Sequence, residues 1–133
     1  MNQRIAHAAI IVDDYDKAIK FYTDKLNFKL IEDTKLSDTK RWVLVSPEGA
    51  GGFSLLLAKA SDKEQESRIG NQTGGRVFLF LHTDDFSGYF NKLVEGDVQI
   101  IREPATQPWG RVAVFADLYG NQWDLIEKVN IVS

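Results

Sequence analysis

Two residues of this chain combine a reactive side-chain type with a place in a short apolar segment. His7 lies in the run IAHAAIIV, from Ile5 to Val12, and Asp124 lies in the run QWDLI. Imidazole titrates near neutral pH, and a carboxylate within hydrogen-bond reach makes it a better general base. Both side chains are also common metal ligands. Proton transfer, metal binding and a purely structural contact between the two residues all stay open at this point.

The composition excludes several kinds of site. The chain has 133 residues, no cysteine and only two histidines, so thiolate chemistry, disulfides and a three-histidine metal centre within one chain are absent. With 16 Lys+Arg against 19 Asp+Glu the net charge is −3, which argues against nucleic-acid binding. The sequence shows neither a secretion signal nor an apolar run long enough to cross a membrane. We therefore expect a cytoplasmic protein without membrane or nucleic-acid partners.

The first half of the chain reads as one βαβββ unit. Apolar residues recur at helical spacing from Tyr15 to Leu26, directly after Asp13 and Asp14, which are suited to cap a helix N-terminus. Strand-like segments precede and follow this helix, at Ile5–Val12, Phe28–Leu36, Arg41–Ser46 and Phe53–Ala58.

The second half repeats the same order of elements. A strand at Val77–Leu81 leads to the cap Asp84-Asp85 and a helix, and strands follow at Val98–Arg102, Arg111–Ala116 and Gln122–Ile126. The strand and helix of the two halves align with an offset of 71 residues, and the final two strands align with an offset of 70. Such self-similarity indicates a duplicated structural unit. The polar stretch between the halves, residues 61–75, is predicted to be a linker.

The chain resembles the glyoxalase/bleomycin-resistance/ring-cleavage dioxygenase superfamily, also called the vicinal oxygen chelate fold. The resemblance lies in IAHAAIIVDDYDKAIKFYTDKLNFKL near the start and VAVFADLYGNQWDLIEK near the end. It implies an α+β fold in which two βαβββ modules form curled mixed sheets around a cup-shaped cavity. We expect a single glyoxalase-like domain over residues 1–133, with module 1 at about 4–60 and module 2 at about 76–128. The resemblance also implies that the protein forms a homodimer.

In metal-dependent members of this superfamily, four ligands line the cup, on the first and last strand of each module. The resemblance places His7 and Asp124 at two of these positions. The internal repeat assigns the other two to Ser54, which is Asp124 minus 70, and to Phe78, which is His7 plus 71. Because a catalytic metal typically takes at least three protein ligands, we expect a degenerate site with no cofactor, or at most a weakly bound divalent metal.

Other residues are candidates for contact with a ligand. Ser54 and Phe78 would line the cup, and Arg76, which shares the face of Phe78 by strand alternation, could anchor an anionic substrate or simply be solvated. Trp109 lies in a hairpin bounded by proline and glycine, where it could form a wall for a flat ligand, make a dimer contact or simply pack within the hairpin. Trp123 alternates away from Asp124 and is predicted to pack in the core.

Three functions follow from these residues. The first is a binding protein for a small, partly apolar molecule that needs no tightly bound catalytic metal. The second is a metal-dependent lyase, isomerase or dioxygenase that uses His7 and Asp124. The third is a metal-free enzyme in which His7 is the general base and Asp124 orients it. The missing ligands at Ser54 and Phe78 favour the first and third functions over the second, and whether the protein is an enzyme stays open.

Overall fold

The computed structural model describes residues 1–49 and 51–129. The chain divides into two compact units, Met1–Gly70 and Asn71–Ser133. Each unit contains one four-stranded sheet with the same element order, which confirms the predicted α+β fold with duplicated βαβββ modules. No helix in the described part of the chain has the length and apolar character that crossing a membrane requires.

The first unit has a mixed sheet with the strand order β1-β4-β3-β2. Strand β1 runs parallel to β4, and the other neighbours are antiparallel. The elements are β1 (His7–Val12), α1 (Tyr15–Lys20), a π-helical turn (Phe21–Lys25), β2 (Lys29–Lys35), β3 (Arg41–Ser46) and β4 (Ser54–Lys59).

The predicted helix from Tyr15 to Leu26 begins as a regular α-helix and continues as a π-helix. Asp14 is the N-cap, and its carboxylate accepts a hydrogen bond of 2.8 Å from the backbone N–H of Lys17. From Phe21 the backbone is π-helical. The Thr23 hydroxyl donates to the backbone carbonyl of Ile19 at 2.8 Å, and this side-chain bond competes with regular helical hydrogen bonding.

Strand alternation gives the first sheet one core face and one open face. Ile10 and Val12 of β1 are fully buried, whereas His7 and Ala9 are exposed. The same two-residue period was the basis for predicting which side chains share a face.

The second unit repeats the arrangement with the strand order β5-β8-β7-β6. Here β5 runs parallel to β8. The elements are β5 (Leu79–His82), α3 (Phe86–Glu95), β6 (Gln99–Gln107), β7 (Gly110–Ala116) and β8 (Gln122–Lys128). Trp123 is 3% exposed and its ring stacks on that of Phe115, with 5.9 Å between the centroids, which confirms the prediction that it packs in the core.

The structure differs from the predicted elements in three further places. Strand β5 begins at Leu79, so Phe78 precedes the strand in which it was predicted. Strand β6 extends to Gln107, because the segment after Arg102 continues the hairpin with β7. The polar stretch 61–75 contains a short helix, α2 (Lys63–Ser67), which Asp62 caps by accepting from the N–H of Gln65 at 2.8 Å. A helix without an apolar face has no hydrophobic periodicity to detect.

Candidate functional site

A cavity of about 590 Å³ lies on the open face of the second sheet. Its walls combine apolar side chains with a small number of polar and charged groups. The lining residues are Gly75, Arg76, Val77, Phe80, Arg102, Val114, Gln122 and Asp124. All of them belong to the second unit.

Strand alternation on β8 directs Asp124 to this cavity. Trp123 and Leu125 are buried on the core face, so Asp124 and Gln122 lie on the opposite face. The register places Asp124 between Phe80 of β5 and Val114 of β7. The carboxylate is thus flanked on both neighbouring strands by apolar side chains.

These surroundings change the acidity of Asp124. Burial raises the pKa of its carboxyl above the usual value, because the charged form loses contact with water. The positive charge of Arg102 acts in the opposite direction and lowers the pKa, but it is the smaller effect. The cavity therefore holds a carboxyl group that takes up a proton more readily than an ordinary aspartate.

Arg102 lines the cavity because strand β6 is irregular. In the hairpin β6–β7, Ala105 pairs with Val112, but Arg102 pairs with Val114, so β6 contains one extra residue between the two pairs. Pro104 lies within this bulge, and it has no N–H to donate to the ladder. Sequence reasoning missed Arg102, although a proline inside a strand pattern is a signal for such a bulge.

Arg76 also lines the cavity, from the segment that leads into β5. Its side chain is exposed, and its backbone carbonyl accepts a hydrogen bond of 2.5 Å from the Thr73 hydroxyl. The sequence-predicted residues Arg76 and Asp124 are thus brought to the same cavity.

Phe80, rather than Phe78, is the aromatic residue of the cavity. Phe80 lies opposite Asp124 in the register and is 61% exposed, which is unusual for a phenylalanine in a strand. Phe78 is only partly exposed and is not among the lining residues, although its N–H donates to the carbonyl of Gln122 at 2.8 Å. The predicted position is displaced by two residues on the same face of the strand.

In the first unit the structure brings His7 and Ser54 together. They are direct partners in the parallel pairing of β1 with β4. His7 is exposed, and its ring forms a T-shaped contact with the Trp42 ring, with 6.1 Å between centroids and an interplanar angle of 77°. Ser54 is 7% exposed. The predicted pairing of His7 with Asp124 joins residues of different units and stays a prediction.

The first unit has a cavity of its own, of about 580 Å³, at the end of β4. Trp42, Leu56 and Ala58 contribute its apolar wall, and Lys40 and Gln65 contribute polar groups. Neither His7 nor Ser54 lines it. The predicted site residues of this unit therefore lie outside this cavity.

Trp109 occupies the turn between β6 and β7 and is 42% exposed, as its position in the hairpin predicted. Its backbone carbonyl accepts a hydrogen bond of 2.9 Å from the N–H of Val129. It is not among the residues that line the cavity around Asp124.

The described residues of each unit can be compared with the ligand set that a divalent metal needs. Within the described ranges, 1–49 and 51–129, no three histidine, aspartate or glutamate side chains are grouped as metal ligands. The strand neighbour of His7 is Ser54, and the charged neighbour of Asp124 is the cation Arg102, which repels a metal ion.

Comparison with known proteins identifies relatives over almost the whole chain. The sequence model of the "Glyoxalase/Bleomycin resistance protein/Dioxygenase superfamily" matches residues 4–125. A protein of Shewanella frigidimarina (strain NCIMB 400), described as uncharacterized, is 56% identical over 128 residues, which are 96% of this chain and 95% of the relative.

Two solved structures share the fold, and each is 30% identical to this chain in sequence. The crystal structure of UcmS2 superimposes with a TM-score of 0.83 at 30% identity and covers 95% of this chain and 98% of that one. The crystal structure of TnmS3, described as an antibiotic binding protein from Streptomyces sp. CB03234, gives a TM-score of 0.77 at 30% identity, with 96% and 98% coverage.

Proposed function

Because the chain belongs to the glyoxalase/bleomycin-resistance/dioxygenase superfamily, we propose that it binds a small, partly apolar molecule in the cavity around Asp124. The observation that carries the proposal is the exposed ring of Phe80 inside a concave, mixed apolar and polar surface. Removing the surface of a large apolar side chain from water lowers the free energy, so a ligand that covers such a side chain in a cavity binds favourably.

The size and lining of the cavity suit this function. Its volume of about 590 Å³ is within the range of small-molecule sites, which are mostly apolar with a few polar groups that orient the ligand. Val77 and Val114 extend the apolar surface beside Phe80, and the amide of Gln122 can donate and accept hydrogen bonds. TnmS3 is described as antibiotic-binding, so an antibiotic or a molecule of similar size is our first candidate ligand.

We propose that this binding needs no tightly bound catalytic metal. The side chains beside His7 and Asp124 support this, because Ser54 and Phe80 supply neither an imidazole nor a carboxylate. Calorimetric titration with Zn²⁺, Ni²⁺ and Mn²⁺ of protein purified without chelators tests it. Stoichiometric, micromolar binding that His7→Ala abolishes would overturn the proposal and support the metal-dependent enzyme instead.

One alternative is a metal-free enzyme. The desolvated carboxyl of Asp124 supports it in one respect, because a group that takes up a proton more readily than an ordinary aspartate can take part in proton transfer. In this alternative His7 is the general base and Asp124 its partner. Turnover of a candidate substrate that His7→Gln abolishes would distinguish an enzyme from a binding protein.

We also propose that the protein is a cytoplasmic homodimer. Apolar side chains exposed on the outer strand β2, Leu30 at 43% and Ile31 at 55%, support a contact between copies. Light scattering after size exclusion tests the assembly, with twice the chain mass of 15.0 kDa as the expected result. A mass of one chain at micromolar concentration would contradict it.

A neutral aromatic probe tests ligand binding directly. N-phenyl-1-naphthylamine fluoresces when it enters an apolar site, so a titration measures its dissociation constant. We expect Phe80→Ala to weaken binding by about tenfold, since about 1.4 kcal/mol of lost contact changes the constant by that factor. Val94→Ala is the matched control, because Val94 is 51% exposed but lies on α3 outside the cavity. Equal affinities of all three proteins would contradict the proposed site.

A further inference from the structure

The arginines of this protein fall into two groups. Arg4 donates to the carbonyl of Gly52 at 2.6 Å, Arg41 pairs with Asp33 at 2.7 Å, Arg68 pairs with Glu64 at 3.7 Å, and Arg111 donates to the Ser87 hydroxyl at 2.9 Å. Arg76 and Arg102 form no ion pair or side-chain hydrogen bond within the described ranges. These two arginines both line the cavity around Asp124.

The charge of this cavity is positive. Arg76 and Arg102 contribute two guanidinium groups, and Asp124 contributes one carboxylate. Asp124 reduces the positive charge of the cavity by at most one unit, because its raised pKa favours the neutral carboxylic acid. No N–O distance of 4.0 Å or less joins its carboxylate to Arg102, so the guanidinium donors of Arg102 stay open to a ligand. The whole chain is acidic, with a net charge of −3, which makes this local surplus of cations unusual.

Guanidinium groups bind carboxylate, sulfonate and phosphonate groups with paired hydrogen bonds, which are stronger than those between neutral groups. The exposed ring of Phe80 in the same cavity offers a surface for a flat apolar body. We propose that the ligand is an aromatic anion whose acidic oxygen group is bound by Arg76 and Arg102 while its ring system covers Phe80. This inference rests on the proposed function, and it adds the chemical class of the ligand.

A matched pair of probes tests the charge of the ligand separately from its apolar body. 8-Anilinonaphthalene-1-sulfonate has the same ring system as N-phenyl-1-naphthylamine and adds one sulfonate group. We expect the sulfonate to bind about tenfold more tightly than the neutral probe at low ionic strength, and the difference to shrink at about 0.5 M salt because counterions screen the arginines.

Substitutions locate the preference for the anion. Arg76→Gln and Arg102→Gln remove one charge each from exposed positions, and each is expected to bring the sulfonate close to the affinity of the neutral probe. Asp124→Asn removes the opposing charge and is expected to strengthen sulfonate binding. Arg68→Gln, which removes an arginine outside the cavity, is the control and should change neither affinity. Thermal unfolding of each variant confirms that it is folded.

The outcomes separate the two proposals. If the neutral probe binds and Phe80→Ala weakens it, but the sulfonate gains nothing or the arginine variants have no effect, the anion proposal is overturned and the proposed function stands. If neither probe binds, both are overturned. Sulfonate binding that depends on Arg76, Arg102 and Phe80 together supports both.

Discussion

Phe80 lies directly opposite Asp124 in the parallel pairing of β5 with β8, as His7 lies opposite Ser54 in the pairing of β1 with β4. Ser54 and Asp124 correspond to each other in the internal repeat. The sheet register therefore makes Phe80 the counterpart of His7, whereas the sequence offset of 71 assigned that place to Phe78. A shift of two residues leaves the side chain on the same face but moves it along the strand.

This register makes a prediction for metal binding. Phe80→His places an imidazole beside the Asp124 carboxylate, and we expect Ni²⁺ to bind at least about tenfold more tightly than to the parent protein. Phe78→His is the matched control, since residue 78 is outside the strand and outside the cavity. Calorimetric titration compares the three proteins. A stronger gain from Phe78→His would show that the sequence offset, and not the register, identifies the ligand position.

The acidity of Asp124 predicts a stability effect. Its pKa is raised in the folded state, so the folded protein binds more protons than the unfolded chain at pH values just above the usual aspartate pKa. The free energy of unfolding should thus fall as the pH rises through this window. Asp124→Asn removes this cost, and we expect a melting temperature higher by about 1–3 °C at pH 7, with no gain near pH 3. A variant less stable than the parent at pH 7 would contradict this.

Gly110 is predicted to be intolerant of a side chain. Its φ of +151° is unfavourable for other residues, and an added Cβ would meet the backbone carbonyl oxygen of Glu127 on the neighbouring strand. We expect Gly110→Ala to destabilise the fold by about 3 kcal/mol or more, because backbone cannot move aside without breaking the β7–β8 ladder.

Gly120→Ala is the matched control for that experiment. Gly120 also has a positive φ, +98°, but its Cβ would enter open space. We expect a loss of about 1 kcal/mol from backbone strain alone. Chemical denaturation measures both variants, and equal losses would show that the contact with Glu127 does not matter.

An ion pair between Arg41 of β3 and Asp33 of β2 joins the two strands of the β2–β3 hairpin. Its Nε and Nη2 atoms donate to the two carboxylate oxygens at 3.1 and 2.7 Å, and these hydrogen bonds lower the pKa of Asp33. The pair therefore stabilises the fold above the usual aspartate pKa and loses this effect as the pH falls through the lowered value. We expect Asp33→Asn to cost about 1 kcal/mol at pH 7.

The control for this pair is Asp38→Asn. Asp38 contacts Lys35 at 3.4 Å, but its side chain is fully exposed, so we expect no measurable change. Urea unfolding at pH 7 and again near pH 2 compares the variants. A loss from Asp33→Asn that persists unchanged near pH 2 would contradict the assignment to the ion pair.

Much of this architecture could be predicted from local sequence signals. The caps at Asp14 and Asp85 are side chains that accept from the first turn of their helices, and they were visible as acidic residues before an apolar helical pattern. The core position of Trp123 followed from alternation along β8. The helix after Asp62 was missed because its residues are polar throughout.

The sequence by itself determined the duplicated βαβββ order and the face of β8 on which Asp124 lies, because helical and strand periodicities are local properties of the chain. Only the tertiary structure decided which residues surround Asp124. The parallel pairing that places Phe80 beside it joins strands far apart in the chain, and no tight turn sets their register. The bulge at Pro104 shifts the register of β6 by one residue, so that Arg102 and not Glu103 pairs with Val114 and lines the cavity.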